Sequence, residues 1–84
     1  MPEQTRILYN LGLLENALGN TAAAEGYLLK VLGMDPDNYD YLYALATFYL
    51  EHSEKGRAMI YARQLAQKFP DDRAARQLVD AAGR

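Results

Sequence analysis

The feature that most constrains this chain is a match of the sequence to itself at a shift of 34 residues. Identical residues recur along the whole period, in the pairs Leu8 and Leu42, Tyr9 and Tyr43, Leu11 and Leu45, Ala24 and Ala58, Tyr27 and Tyr61, Pro36 and Pro70, and Asp37 and Asp71. A fixed period of about 20 to 50 residues is typical of arrays in which one small structural unit is repeated and stacked. The sequence therefore predicts a short repeat array.

Apolar residues at three- and four-residue spacing predict that each repeat is a pair of helices. In the first segment the apolar stripe runs from Ile7 to Leu18, and Gly19 follows as a helix terminator. The same signals along the chain predict five helices, at about 4–18, 21–34, 39–52, 54–68 and 72–82. No segment alternates between apolar and polar residues with a period of two, so no strand is predicted.

Local residue chemistry indicates where several of these helices begin. Asn38 or Tyr39 is expected to open the third helix. Ser53 is expected to cap the fourth helix, because a serine side chain accepts hydrogen bonds from the first free backbone N–H groups. Asp71 or Asp72 is expected to cap the fifth helix in the same way.

The pattern of packing residues resembles the tetratricopeptide repeat family. That family places Leu and Gly on the first helix, Ala and a large apolar residue on the second, and Pro at the end. The matching residues are Leu8, Leu11, Gly12, Ala24, Leu28, Val31 and Pro36 in the first repeat, and Leu42, Leu45, Ala46, Tyr49, Ala58, Leu65 and Pro70 in the second. Three features depart from the pattern: Glu15 replaces a Tyr, Leu8 and Leu42 replace Trp, and Ala62 replaces a large residue.

The resemblance implies an all-α fold, a right-handed superhelix of antiparallel helix pairs with about five helices. It places the repeats at 5–38 and 39–72 and a capping helix at 72–83, within a single tetratricopeptide-like domain over 1–84. We expect that domain to be a fragment of a larger protein, because two repeats are fewer than such arrays usually need for stability.

The resemblance also implies a function. In this family the first helix of each repeat lines a concave groove, so the chain is expected to be a scaffold that binds a peptide or helix of a partner protein. Helical phase gives eight groove candidates: Arg6, Tyr9, Leu13, Asn16, Asp40, Tyr43, Thr47 and Leu50. Tyr9 and Tyr43 favour binding because they repeat without being packing positions of the family, and exposed aromatic residues often anchor interfaces.

Other readings stay open. The groove candidates are equally compatible with plain surface positions that bind nothing. The small number of repeats suggests a structural element that self-associates as a homodimer. A third alternative is a docking or regulatory module of a larger enzyme.

Composition narrows the function classes. The chain has no cysteine and a formal net charge of −2, with acidic and basic residues intermingled, so a nucleic-acid partner is not expected. No apolar run is long enough to cross a bilayer, so no membrane contact is expected. The single His52 is expected at a solvated helix end, and Asp35, Asp37 and Asp40 lack the glycine and distal glutamate of a calcium loop. We therefore predict no catalytic residue, metal or cofactor, a chain that is not an enzyme, and a soluble protein of unassigned compartment, the cytoplasm being favoured.

Overall fold

A computed structural model describes residues 2–84 of the chain, with side chains from residue 3 onward. The elements are five helices: α1 (Pro2–Ala17), α2 (Thr21–Met34), α3 (Tyr39–Glu51), α4 (Lys55–Lys68) and α5 (Arg73–Ala82). Each predicted helix is present within a few residues of its predicted bounds. Residues 2–84 contain no strand, so the all-α prediction is confirmed.

The chain divides into two compact units, residues 1–41 (the first unit) and residues 42–84 (the second unit), with the boundary inside α3. In the first unit α1 packs against α2. Gly12 of α1 is buried there, and a Cβ atom at this position would lie 3.1 Å from Cδ2 of Leu28 and 3.2 Å from Cβ of Tyr27. The small residue therefore permits the close approach of the two helices, as its place in the repeat predicts.

The second unit has a core built mainly from aliphatic residues and alanine. Its buried members are Leu42, Ala44, Leu45, Ala46, Phe48, Tyr49, Ala58, Ala62, Leu65, Ala75, Leu78 and Ala82. The ring of Tyr49 stacks on the ring of Tyr61 from α4, with centroids 5.8 Å apart and planes 16° apart. Tyr49 and the small Ala62 are both buried in this core.

Several helix ends follow local chemistry. Gly19, just after α1, has a φ of +84°, a left-handed conformation that glycine adopts without steric cost. Before α3, the side-chain oxygen of Asn38 accepts a hydrogen bond from the backbone N–H of Tyr41 at 3.2 Å. Before α5, the carboxylate of Asp72 accepts one from the N–H of Ala75 at 2.8 Å. These three predicted ends are confirmed, and the choice between Asp71 and Asp72 falls on Asp72.

The prediction that Ser53 caps α4 is wrong. Ser53 has a φ of 60°, so it forms the left-handed residue of the turn between α3 and α4. The next residue, Glu54, donates its N–H to the carbonyl of Tyr49 at 2.8 Å, and α4 begins one residue later at Lys55. Glu54 is the residue that precedes the helix, and its side chain makes no capping hydrogen bond.

The last helix has two chemically different faces. Ala75, Leu78 and Ala82 are buried, and α5 packs against α4. Arg73, Arg76, Gln77 and Asp80 are exposed. The helix therefore has an apolar face toward the core and a polar face toward solvent, and its assignment as a capping helix stays a prediction.

Candidate protein-binding groove

The predicted groove residues occupy the first helix of each repeat. On α1, Arg6 and Leu13 are exposed, whereas Tyr9 and Asn16 are half-buried. On α3, Asp40 and Tyr43 are exposed, whereas Thr47 and Leu50 are half-buried. Arg6, Tyr9 and Asp40, which all belong to the first unit, are brought together in one pocket. Leu13 and Asn16 do not line that pocket.

The pocket of the first unit has a volume of about 310 Å³. Three segments line it: α1 provides Thr5, Arg6, Tyr9 and Asn10, the loop after α2 provides Asp35 and Asn38, and the first turn of α3 provides Asp40 and Tyr41. This volume lies at the lower end of the range for sites that hold small ligands, about 300–1,000 Å³. The pocket is therefore large enough for one side chain of a bound partner.

Hydrogen bonds fix the loop that forms one wall of the pocket. Asp35 ends α2 and donates its N–H to the carbonyl of Val31 at 3.0 Å. The side-chain amide of Asn38 donates to the carboxylate of Asp35 at 3.0 Å, while its oxygen accepts from the N–H of Tyr41. Asn38 thus links the end of α2 to the start of α3. The carboxylate of Asp35 is held in a defined position as a result.

Two tyrosine rings form the aromatic part of the pocket. The centroids of Tyr9 and Tyr41 are 5.1 Å apart, and the ring planes are tilted by 42°. Tyr41 is buried and Tyr9 is half-buried, so Tyr9 presents the accessible ring. Burial raises the pKa of the Tyr9 hydroxyl, and the negative charge of Asp40 and the neighbouring Tyr41 raise this pKa further. The hydroxyl of Tyr9 therefore stays protonated at neutral pH and remains able to donate a hydrogen bond.

Sequence reasoning found three of the eight residues that line this pocket. It missed Thr5, Asn10, Asp35, Asn38 and Tyr41. Thr5 and Asn10 are neighbours of predicted groove residues on α1. Asp35 and Asn38 were interpreted through their positions at helix ends, where capping accounts for them. The repeat contains one signal that predicts a role for this loop. The loop that follows Pro36 leads directly into the next groove-lining helix, so its residues are expected near the groove.

Comparison with known families decides the affiliation of the chain. The model of the tetratricopeptide repeat matches residues 15–82, which is more than half of the sequence. The chain belongs to the tetratricopeptide repeat family. Proteins of this family generally mediate protein–protein interactions and are typically non-catalytic modules. A comparison with curated proteins gives no match.

The family match extends past the predicted repeats. It begins within α1, at Glu15, and includes all of α5. The last helix of this tetratricopeptide repeat chain thus follows the family pattern as well, while its exposed face is polar. Within residues 2–84, no helix has both the length and the apolar character that a membrane crossing needs.

In the second unit, the groove candidates of the tetratricopeptide repeat differ in exposure and hydrogen bonding. Tyr43 exposes part of its ring, and Leu50 is half-buried. The hydroxyl of Thr47 donates within its own helix, toward the carbonyls of Tyr43 and Ala44, each at 3.0 Å. Such a bond to the preceding turn occupies the hydroxyl proton. Among the groove candidates of the second unit, Tyr43 is therefore the most exposed.

The described residues of this repeat chain contain no group of three His, Cys, Asp or Glu side chains that could hold a metal ion. The solvated position expected for His52 is wrong. Its imidazole is half-buried, and its ring centroid lies 4.5 Å from that of Phe48. His52 follows Phe48 by one helical turn, so contact between the two rings is favoured.

Proposed function

We propose that the chain is a protein–protein interaction module that binds a peptide or a helix of a partner protein along the exposed face of α1. The pocket formed by Arg6, Tyr9 and Asp40 would be its anchor point. One observation carries this proposal: three groove candidates from two different helices line a single pocket that contains a half-buried tyrosine. Tyrosine is one of the residues enriched among the energetic anchors of protein interfaces.

The face of α1 beyond the pocket supports an elongated partner. Arg6, Tyr9, Leu13 and Asn16 follow one another at spacings of three and four residues, so they share one face of the helix. Leu13 is 42% exposed and adds an apolar contact one turn beyond Tyr9. A partner that places one side chain in the pocket and an apolar side chain on Leu13 would be the best fit.

The experiment is a selection of peptides from a displayed random library against the full chain, followed by affinity measurements on variants. Tyr9→Ala is expected to weaken binding of the selected peptides at least about tenfold, the effect of losing an anchor residue. Leu13→Ala is expected to weaken binding by a smaller factor. Leu29→Ala is the matched control, because Leu29 is similarly exposed, at 39%, but lies on α2. Peptides that bind the Tyr9→Ala variant as tightly as the unaltered chain would refute the proposed groove.

Self-association is a second candidate function, because α1 has another exposed apolar face. Ile7, Leu14 and Leu18 are 57%, 54% and 66% exposed, and their spacings of seven and four residues place them together. One period later, Tyr41 and Phe48 are buried and His52 is half-buried. The same repeat positions are therefore buried or half-buried in the second repeat but exposed in the first.

The exposed faces of α1 and α5 favour self-association through α1 of both copies. The exposed face of α5 carries Arg73, Arg76 and Asp80, which are poor partners for an apolar surface. A second copy would therefore contact α1 with its own α1, through the same patch on both copies. This proposal predicts a dimer in which Ile7, Leu14 and Leu18 of both copies are buried.

Sedimentation over a wide concentration range tests the dimer. The unaltered chain is expected to gain mass with concentration, and Leu14→Glu is expected to remain a monomer because its charge would be buried without a partner. Ile60→Glu is the control, since Ile60 is 52% exposed and belongs to a different helix, α4 of the second unit. A chain that stays monomeric at all concentrations would exclude this function and leave the groove proposal untouched.

A further inference from the structure

We infer that the pocket of the first unit recognises a cationic side chain, the guanidinium or ammonium group of an Arg or Lys of the partner, between the ring of Tyr9 and the carboxylates of Asp35 and Asp40. This inference rests on the proposed groove function and adds the chemistry of its anchor. The following observations carry it.

The aromatic wall suits a cation. Tyr9 presents an accessible ring, and Tyr41 lies behind it at 5.1 Å between centroids, which keeps the ring of Tyr9 in place. A cation within about 6 Å of a tyrosine ring centroid is attracted by the negative charge on the face of the ring. At about 310 Å³ the pocket accommodates one long side chain rather than a folded segment.

The charges of the wall also favour a cation. The pocket is lined by two carboxylates, from Asp35 and Asp40, and by one guanidinium, from Arg6. None of these three forms an ion pair with another side chain within residues 2–84. An anion would be attracted by Arg6 but repelled by both carboxylates. A cation gains from both carboxylates and loses only at Arg6.

The two carboxylates are placed to meet a group that lies over Tyr9. The charge of Asp40 is close enough to raise the pKa of the Tyr9 hydroxyl. Asp35, which also lines the pocket, accepts a hydrogen bond from the amide of Asn38 and is thereby held in place. A guanidinium over the ring of Tyr9 therefore has an acceptor within reach, and forming the contact requires little ordering of the loop.

Substitution of Arg6 tests the inference, because cation recognition predicts a gain of affinity, which a purely structural pocket would not show. Removing the positive charge of Arg6 takes away the one like charge that faces the bound cation. Arg6→Gln is therefore expected to strengthen cation binding, whereas Asp40→Asn is expected to weaken it. Both side chains are exposed, so neither change removes a core contact.

The test uses the full chain and two probes of nearly the same shape, the cationic N-acetyl-arginine amide and the neutral N-acetyl-citrulline amide, whose binding is followed by NMR chemical shifts. The arginine probe is expected to shift the signals of Tyr9, Asn10 and Tyr41 and to bind at least about threefold more tightly than the citrulline probe. Asp40→Asn is expected to remove most of this difference. Glu3→Gln is the matched control, because Glu3 is also an exposed acid in the first turn of a helix in the same unit but does not line the pocket.

Each outcome separates the inference from the proposed function. Equal binding of both probes, or an Arg6→Gln variant that binds arginine more weakly, overturns cation recognition. Selected peptides that need Tyr9 but no basic residue also overturn it, while the groove stands. An arginine probe that binds the pocket, and that loses affinity with Asp40→Asn, supports the inference. If in addition no selected peptide depends on Tyr9, the groove proposal alone is refuted.

Discussion

Replacing Gly12 by alanine tests how tightly the first helix pair is packed. An added Cβ would lie 3.1 and 3.2 Å from two atoms of the Leu28 side chain and 3.2 Å from Cβ of Tyr27. Carbon atoms in ordinary contact are about 3.5–4.0 Å apart. Leu28 is almost fully buried, and Cβ of Tyr27 is attached directly to the backbone of α2, so neither neighbour moves away freely.

The magnitude follows from two opposing effects. Alanine in a helix interior is favoured over glycine by about 1 kcal/mol. Overfilling a packed site costs about 1–3 kcal/mol. Gly12→Ala is therefore expected to lower the free energy of unfolding by up to about 2 kcal/mol, the cost of overfilling less the helix gain. Gly26→Ala in α2 is the control, because nothing lies within 4 Å of its added Cβ, and it keeps the full gain of about 1 kcal/mol.

Thermal unfolding followed by circular dichroism measures both variants. A change of 1 kcal/mol shifts the Tm of a domain of this size by about 4–8 °C. Gly26→Ala is expected to raise the Tm and Gly12→Ala is expected to lower it. A Gly12→Ala variant that is stabilised as much as Gly26→Ala would show that α1 and α2 are not in the close contact described above.

Two further predictions concern a helix end and an ionisable group. Asp72→Ala is expected to cost about 1 kcal/mol in urea unfolding through loss of the α5 cap, while Asp71→Ala stays near zero. Since the pKa of Tyr9 is raised, the folded chain holds this proton more tightly than the unfolded chain, so stability is kept below pH 10 and lost as the pH rises through the raised value. NMR titration of the Tyr9 ring carbons should give a pKa above 10 that moves toward 10 in Asp40→Asn. A Tyr9 pKa that Asp40→Asn leaves unchanged would contradict the role of that charge.

The helices were predictable because their signals are local or periodic. The apolar spacing placed all five elements. Gly19 marks a helix end because it lacks a Cβ and adopts a left-handed conformation without steric cost, and Asp72 marks one because its carboxylate accepts a hydrogen bond from the helix. Ser53 shows where such reasoning fails. Its side chain is as suitable for a cap as that of Asp72, but the turn places its backbone in the left-handed region, where it cannot precede a helix directly. Sequence preference does not reveal which residue of a turn takes that conformation.

The pocket was predictable only in part, because it combines residues of different origin. Arg6, Tyr9 and Asp40 follow from helical phase within the repeat. Asp35 and Asn38 enter through the loop, where their helix-end roles give no sign that they also line a cavity. Such a side chain both caps a helix and lines a pocket. The local sequence around it indicates only the capping.

Tyr9 and Tyr43 show how one repeat position acquires different properties. Both occupy the same place in the 34-residue period, and both were predicted as groove residues. Tyr9 is half-buried against Tyr41, close to the charge of Asp40, and has a raised pKa. Tyr43 is exposed, with 39% of its surface accessible. The period determines which face of its helix a side chain occupies, but non-repeating neighbours determine the chemistry next to it. Asp40 and Tyr41, which lie close to Tyr9, have Ala74 and Ala75 as their equivalents one period later. The variation between repeats, rather than the repeat itself, is therefore the place to look for partner specificity in this chain.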